Sequence, residues 1–410
     1  MRGIGRFLAF GLTVAVVSTG LVSERLPAEA ALGAVGSGRS GTLEAVAADS
    51  ATDAWAVGFT GDLMSFPDES LVLHWNGLGW TKVATPNPSG TTASSANFLY
   101  GVSAVSPVDA WAVGYYRDVT TSVWHTLILH WNGSKWTRVK SPSPPGGPGQ
   151  GSFLLSVSAD SSTDAWAVGQ VSNGANHTLV LHWDGTSWAR ISSPNPGGTI
   201  SGSENSLASV SAVSGTDAWA AGDFGNSTSH ADQTLVEHWN GTSWRVTASP
   251  SPGGTTSSNQ ESVLRAISAV AGVHPAAVGW YNPDVAQTLA LQRSSRRWGQ
   301  LSTPNPGLPS SSYLWGVSER SASDAWAVGD YANPAAPNTV DTLVLHNDGT
   351  GWAPVASPNP AGTTTGENQL SGVKSLSARD AWAVGSYFDS STQTWKTLLL
   401  HWDGSTWTNA

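Results

Sequence analysis

One pattern of strands and turns is written seven times along this chain, and that repetition limits its fold more than any single residue does. The clearest copy runs from Leu99 to Pro142, as LYGVSAVSPVDAWAVG followed, after a variable stretch, by TLILHWNGSKWTRVKSP. Its centre, DAWAVG, starts at Asp53, Asp109, Asp164, Asp324 and Asp380, reads DAWAAG from Asp217, and is worn to HPAAVG from His274. Successive starts lie 50 to 57 residues apart. A repeat of this length is one supersecondary unit that cannot bury its apolar face alone and must pack against its neighbours. A residue present in every copy therefore belongs first to the scaffold.

Within a copy the apolar period is two, which is the period of a strand. Leu99–Val105, Ala110–Gly114, Thr126–Trp131 and Trp136–Val139 read as four strands, a to d, with no helical pattern between them. Asn132-Gly133 lies between c and d, and Asn-Gly is a strong hairpin signal because both residues tolerate positive φ. The turn recurs at Asn76 and Asn240, and as Asp-Gly at Asp184, Asp348 and Asp403. Four antiparallel strands repeated seven times predict an all-β, seven-bladed β-propeller over residues 42–410.

Residues 1–30 read as a secretory signal peptide: Arg2 and Arg6, an apolar run from Phe7 to Val17, and Ala28-Glu29-Ala30 as the cleavage site. Residues 31–41 read as a linker. The apolar run is too short to span a bilayer, so no membrane insertion is expected. Without residues 1–30 the chain keeps 16 basic and 27 acidic residues, a net charge of −11, which argues against nucleic acid as a partner.

Trp111-Ala-Val-Gly114, Leu127-Ile-Leu-His-Trp-Asn-Gly-Ser-Lys-Trp136 and the Ser141-Pro-Ser-Pro144 tail together resemble kelch-type repeats, as in the central domain of galactose oxidase. Kelch blades carry a double glycine where this chain has one. The resemblance implies a propeller with strand a innermost and implies no activity. Galactose-oxidase chemistry needs a tyrosine crosslinked to cysteine, and the chain has no cysteine.

The repeated Asp of DAWAVG (Asp53, Asp109, Asp164, Asp217, Asp324, Asp380) and the repeated His of LHW (His74, His130, His182, His238, His346, His401) stand at the same end of neighbouring strands. Unit 5 alone loses both, to His274 and Gln292, and joint loss points to a structural Asp–His hydrogen bond. A catalytic dyad would need a nucleophile and would have to act six times over. The repeated tryptophan is expected in the core between units. The sequons at Asn132, Asn176, Asn226 and Asn240 are read first as turn chemistry.

The a–b and c–d turns share one face and are short. The b–c and d–a loops share the other and differ in every unit, so a binding site is expected there. Asn97, Gln150, Glu204, Asn205, Asn259, Gln260, Glu261, Glu367, Asn368 and Gln369 precede strand a at the mouth of the channel, as candidates for sugar hydroxyls or a cation, against the favoured reading that they cap their loops and bind water. Tyr116, Trp124, Tyr281 and Trp395 follow as candidate aromatic platforms. No metal or cofactor is expected: His125, His177 and His230 have no ligand spacing, and no metal-binding motif occurs. The reading that results is a secreted, monomeric, non-enzymatic propeller that binds a glycan or an extracellular protein. The alternative is a glycoside hydrolase or lyase using acidic residues at the channel mouth, such as Glu204, Glu261 and Glu367. A purely structural or adhesive surface protein is the third reading.

Overall fold

The computed structural model describes residues 38, 40–61, 67–226, 228–336, 338–362 and 366–410. The signal-peptide expectation for residues 1–30 lies outside them. The described residues contain no helix, and none is long and apolar enough to cross a membrane.

Among the described residues, twenty-eight strands form seven four-stranded antiparallel units, each ordered first to fourth as in the sequence. In unit 2 they are Asn97–Ser106, Asp109–Arg117, Trp124–Trp131 and Trp136–Arg138. The other first strands are Thr42–Ser50, Gly151–Ser161, Asn205–Ser214, Glu261–Ser268, Ser312–Ser321 and Asn368–Ser377. Each first strand packs against the first strand of the next unit, and that of unit 7 packs against that of unit 1. The first strands are therefore the inner wall of a β-propeller.

Facing inner edges need their backbone groups satisfied. Serines on one first strand accept N–H bonds from the next: Ser103 from Ala159 at 3.1 Å, Ser158 from Ala212 at 3.0 Å, Ser211 from Ala269 at 3.0 Å and Ser268 from Glu319 at 2.9 Å. At the loop face each third strand meets the next unit's first strand, as Trp124 with Gly151 and Asp232 with Glu261. Unit 7 is joined differently. Residues near the start of the propeller fold back on its third strand, with Gly38 N–H bonded to Thr397 O at 2.8 Å and Gly41 N–H to Trp395 O at 3.0 Å. The segment read as a linker thus takes part in closure through Gly38, Ser40 and Gly41, against the third strand.

Seven apolar clusters fill the seven junctions, and each draws residues from two successive units. Trp55 of unit 1 lies 4.9 Å from Trp131 and 5.1 Å from Trp136 of unit 2. Trp111, Trp166, Trp326 and Trp382 repeat that placement. A buried tryptophan removes roughly 150–250 Å² from water, several kcal/mol gross at about 25 cal/mol/Å².

The c–d turns differ from a two-residue hairpin. Trp131 pairs with Trp136 across a four-residue loop in which only Gly133 has positive φ, at 86°. Asn132 keeps ordinary φ and uses its side chain instead, accepting the N–H groups of Ser134 and Lys135 at 3.1 Å each. Its preference here comes from an Asx turn rather than from left-handed backbone.

Candidate functional site

The expected Asp–His pairs are present in six units. The imidazole Nε2–H donates to Asp Oδ1 at 2.6 Å for His74–Asp53, 2.8 Å for His130–Asp109 and 2.9 Å for His238–Asp217, His346–Asp324 and His401–Asp380, and His182 pairs likewise with Asp164. Each imidazole also lies 4.0–4.4 Å from the repeated tryptophan of its own unit. The pair holds the imidazole as a lid on that tryptophan, at the short-turn end. No nucleophilic side chain bonds to these imidazoles among the described residues.

Three candidates at the channel mouth are corrected by their geometry. Asn97, Asn205 and Asn368 are buried, with both ends of the amide spent on backbone. Asn97 Oδ1 accepts Ser89 N–H at 2.9 Å, and Nδ2 donates to Asp68 O and Gly90 O at 3.2 and 3.0 Å. Asn205 and Asn368 repeat the arrangement. Ser262 and Ser312 stand at the same position and accept an N–H from the same loop. The position fastens the d–a loop and offers nothing to a ligand.

The other candidates divide. Gln150 and Gln260 turn their side-chain oxygens onto their own loops, at Gly147 N–H (3.1 Å) and Thr256 N–H (2.8 Å). Asn259 is exposed, and Glu204, Glu261, Glu367 and Gln369 are half-buried at the loop face. Tyr116 is covered by Arg138, whose guanidinium lies 4.7 Å from its ring and donates to its hydroxyl at 2.8 Å. Tyr281 donates its hydroxyl to Gln287 at 2.9 Å. Trp124 packs on Tyr115 and Trp395 on Phe388, at 5.4 and 5.7 Å. Tyr116, Trp124, Tyr281 and Trp395 all lie within strands rather than loops, because the second and third strands run further than their apolar pattern.

A different set shares one position on the inner wall. Every first strand carries a β-bulge just after its first buried leucine: Leu99 pairs with Gly114 and Gly101 with Val113, leaving Tyr100 extra. The bulged residues are Glu44, Tyr100, Leu155, Ala208, Arg265, Trp315 and Ser371, one per unit. All seven are half-buried and no two are alike. A bulge re-aims a side chain, and here it does so at one level of the inner wall.

This ring has two sides. At units 1 to 3, Tyr100 stacks on Tyr115 at 5.2 Å and 15°, with the Tyr115 hydroxyl donating to that of Tyr100 at 3.1 Å. Phe59 and Phe98 close the back of the pair. Burial pushes both hydroxyls up, as do the carboxyl groups of Glu44 and Asp68 nearby. Burial also pushes the Glu44 carboxyl up to about 7, opposed by the Thr42 hydroxyl. At units 5 and 6, the Arg265 guanidinium lies 4.6 Å from the Trp280 ring and 5.9 Å from Trp315. Burial pulls Arg265 down, while Asp223, Asp232 and Glu261 pull it back up. Trp315 donates its indole N–H to Asp330, whose carboxyl burial pushes up to about 7. Among the described residues no group of three or more His, Asp or Glu side chains is arranged to hold a metal ion.

No known family's sequence profile matches the chain, and no curated protein sequence matches it. Solved structures do resemble it. A PL25 polysaccharide lyase, an ulvan lyase bound to a GlcA(1-4)Rha3S sugar, superposes with a TM-score of 0.56 at 8% identity, over 92% of this chain and 97% of that one. A GH74 xyloglucanase from Xanthomonas campestris gives 0.53 at 12% identity, over 91% of this chain and 55% of that one. YCF48 bound to a D1 peptide gives 0.50 at 12% identity, over 90% and 96%. At these identities the likeness concerns the propeller fold.

Proposed function

We propose that this chain is a secreted, seven-bladed, non-enzymatic propeller with kelch-like repeats that binds a glycan in the mouth of its channel. The observation that carries the reading is the ring of bulged residues. A specific ligand needs an asymmetric site, and these positions hold a different residue in every unit, between a leucine and a valine or isoleucine that repeat in all seven. Aromatic faces at Tyr100 and Trp315, with a carboxyl, a guanidinium and a serine hydroxyl at the same level, suit the apolar faces and hydroxyls of a sugar. Propellers of similar shape include one solved with a sugar and one with a peptide, which supports a glycan first and a protein partner second. A glycan array with the intact chain, repeated with Trp315→Ala and Tyr100→Ala, tests the reading. Binding lost in both variants at unchanged melting temperature is expected. Binding untouched by either moves the site out of the channel. Release of shortened or unsaturated sugars from a bound oligosaccharide would favour the hydrolase or lyase reading.

A further inference from the structure

The two sides of the bulge ring treat a cation differently. In unit 5 the bulged residue is itself a cation: the Arg265 guanidinium lies against Trp280, with Asp223, Asp232 and Glu261 acting on it. The chain has filled that place from within. In units 1 and 2 the aromatic wall and the carboxyl are both present, as the Tyr100–Tyr115 stack and Glu44, and no lysine, arginine or histidine forms an ion pair with Glu44 among the described residues. Glu44 is half-buried, and burial of its carboxyl is what raises it.

Resting on the glycan reading, we propose that Glu44, Tyr100 and Tyr115 form a subsite for the free ammonium group of an amino sugar. The ammonium takes the place that Arg265 takes in unit 5. It meets a carboxylate in a poorly hydrated site, where a charge-assisted hydrogen bond is stronger than in water, and it meets the face of Tyr100 turned away from Tyr115. An anionic sugar is disfavoured on this side, where Glu44 and Asp68 both raise the tyrosine hydroxyls electrostatically. A neutral N-acetylated sugar keeps the stacking and loses the charge. The sugar's hydroxyls are left for the opposite side of the ring, at Arg265 and Trp315.

The test is calorimetric titration of the full chain at neutral pH with three tetrasaccharides: one of glucosamine, its N-acetylated counterpart, and one of galacturonic acid. The glucosamine oligomer is expected to bind at least about tenfold more tightly than the acetylated one. Glu44→Gln is expected to remove that preference, lowering the affinity for the glucosamine oligomer by about tenfold more than that for the acetylated one. Tyr115→Leu keeps the carboxyl and removes the ring that backs Tyr100, so it should reduce the preference if Glu44→Gln does not fold. Equal affinity for amine and acetamide, a preference that survives Glu44→Gln, or tightest binding of the galacturonate oligomer overturns the ammonium subsite and leaves glycan binding standing. Failure of all three oligomers to bind overturns both.

Discussion

The junction between units 1 and 2 and the junction between units 5 and 6 do the same job with different residues. In the first, Trp55 fits against Trp131 and Trp136 and is covered by His74, which Asp53 holds. In the second, the tryptophan is Ala276, the residue matching Trp131 is Asn347, and the Asp–His pair is His274 and Gln292, with His274 exposed. The space is taken from the far side. Glu319, on the first strand of unit 6 at a position where units 1 to 5 carry alanine, accepts Ala276 N–H at 3.2 Å and Gln292 Nε2–H at 3.4 Å. Burial pushes its carboxyl up to about 8, so it sits there largely as a neutral acid. Tryptophan, histidine and aspartate can thus be lost together without loss of the unit, provided a neighbour fills the gap. That marks the repeated motif as scaffold, and it leaves the bulge ring, which repeats in geometry but not in identity, as the place proposed for binding.

The largest effect expected on this contrast is at a tryptophan junction. Trp111→Ala leaves a cavity against Trp183 and Trp188 and should cost about 3–5 kcal/mol, read as a lower midpoint in chemical denaturation. A loss below about 1 kcal/mol would show that the tryptophans are dispensable everywhere, not only in unit 5.

The next effect runs the other way. Glu237 replaces the leucine of TLxLHW, is fully buried, and neither of its carboxyl oxygens has a hydrogen-bond partner. It stands opposite Ala220 in the core between units 3 and 4, and burial pushes it from 4.5 up to about 8. Between those values the folded protein holds a proton that the unfolded chain has released. Its contribution to stability therefore falls as pH rises, by up to about 1.4 kcal/mol per unit. Glu237→Leu should raise the melting temperature, slightly near pH 5 and most near pH 8. A gain that does not grow with pH would contradict the buried-acid description.

A smaller effect sharpens the comparison directly. Ala276→Trp should destabilise by roughly 1–3 kcal/mol, because Glu319 already occupies the space. Adding Glu319→Ala should recover most of that loss. Asp109→Ala should cost least, about 1 kcal/mol, since His130 is partly open to water and the released N–H can be hydrated.

Much of this architecture is readable in the chain. The period-two pattern, the Asn-Gly turns and the joint loss of Asp and His in unit 5 lead to four-stranded units and to the Asp–His bond. The ring was hidden by the same regularity. In every unit the first buried leucine and the next buried valine or isoleucine are three residues apart, as Leu99 and Val102, inside a strand whose period is two. That spacing is the mark of a bulge, and the residue after the leucine changes in all seven copies. Asn97, Asn205 and Asn368 are the opposite case, open in sequence to both ligand binding and loop capping. They recur at one position, which is how scaffold behaves, and their amides are consumed by loop backbone whose path depends on tertiary packing rather than local pattern. Glu319 was out of reach because its role depends on what unit 5 lacks.

The division between scaffold and ring is tested most directly by measuring, for Asp109→Ala and Trp315→Ala side by side, both melting temperature and glycan-array binding. Asp109→Ala should melt lower and keep the wild-type binding pattern, and Trp315→Ala should melt within about two degrees of wild type and lose it. The reverse result, with binding lost on breaking the Asp109–His130 bond and kept without Trp315, would place function in the repeated motif and contradict the assignment of the bulge ring.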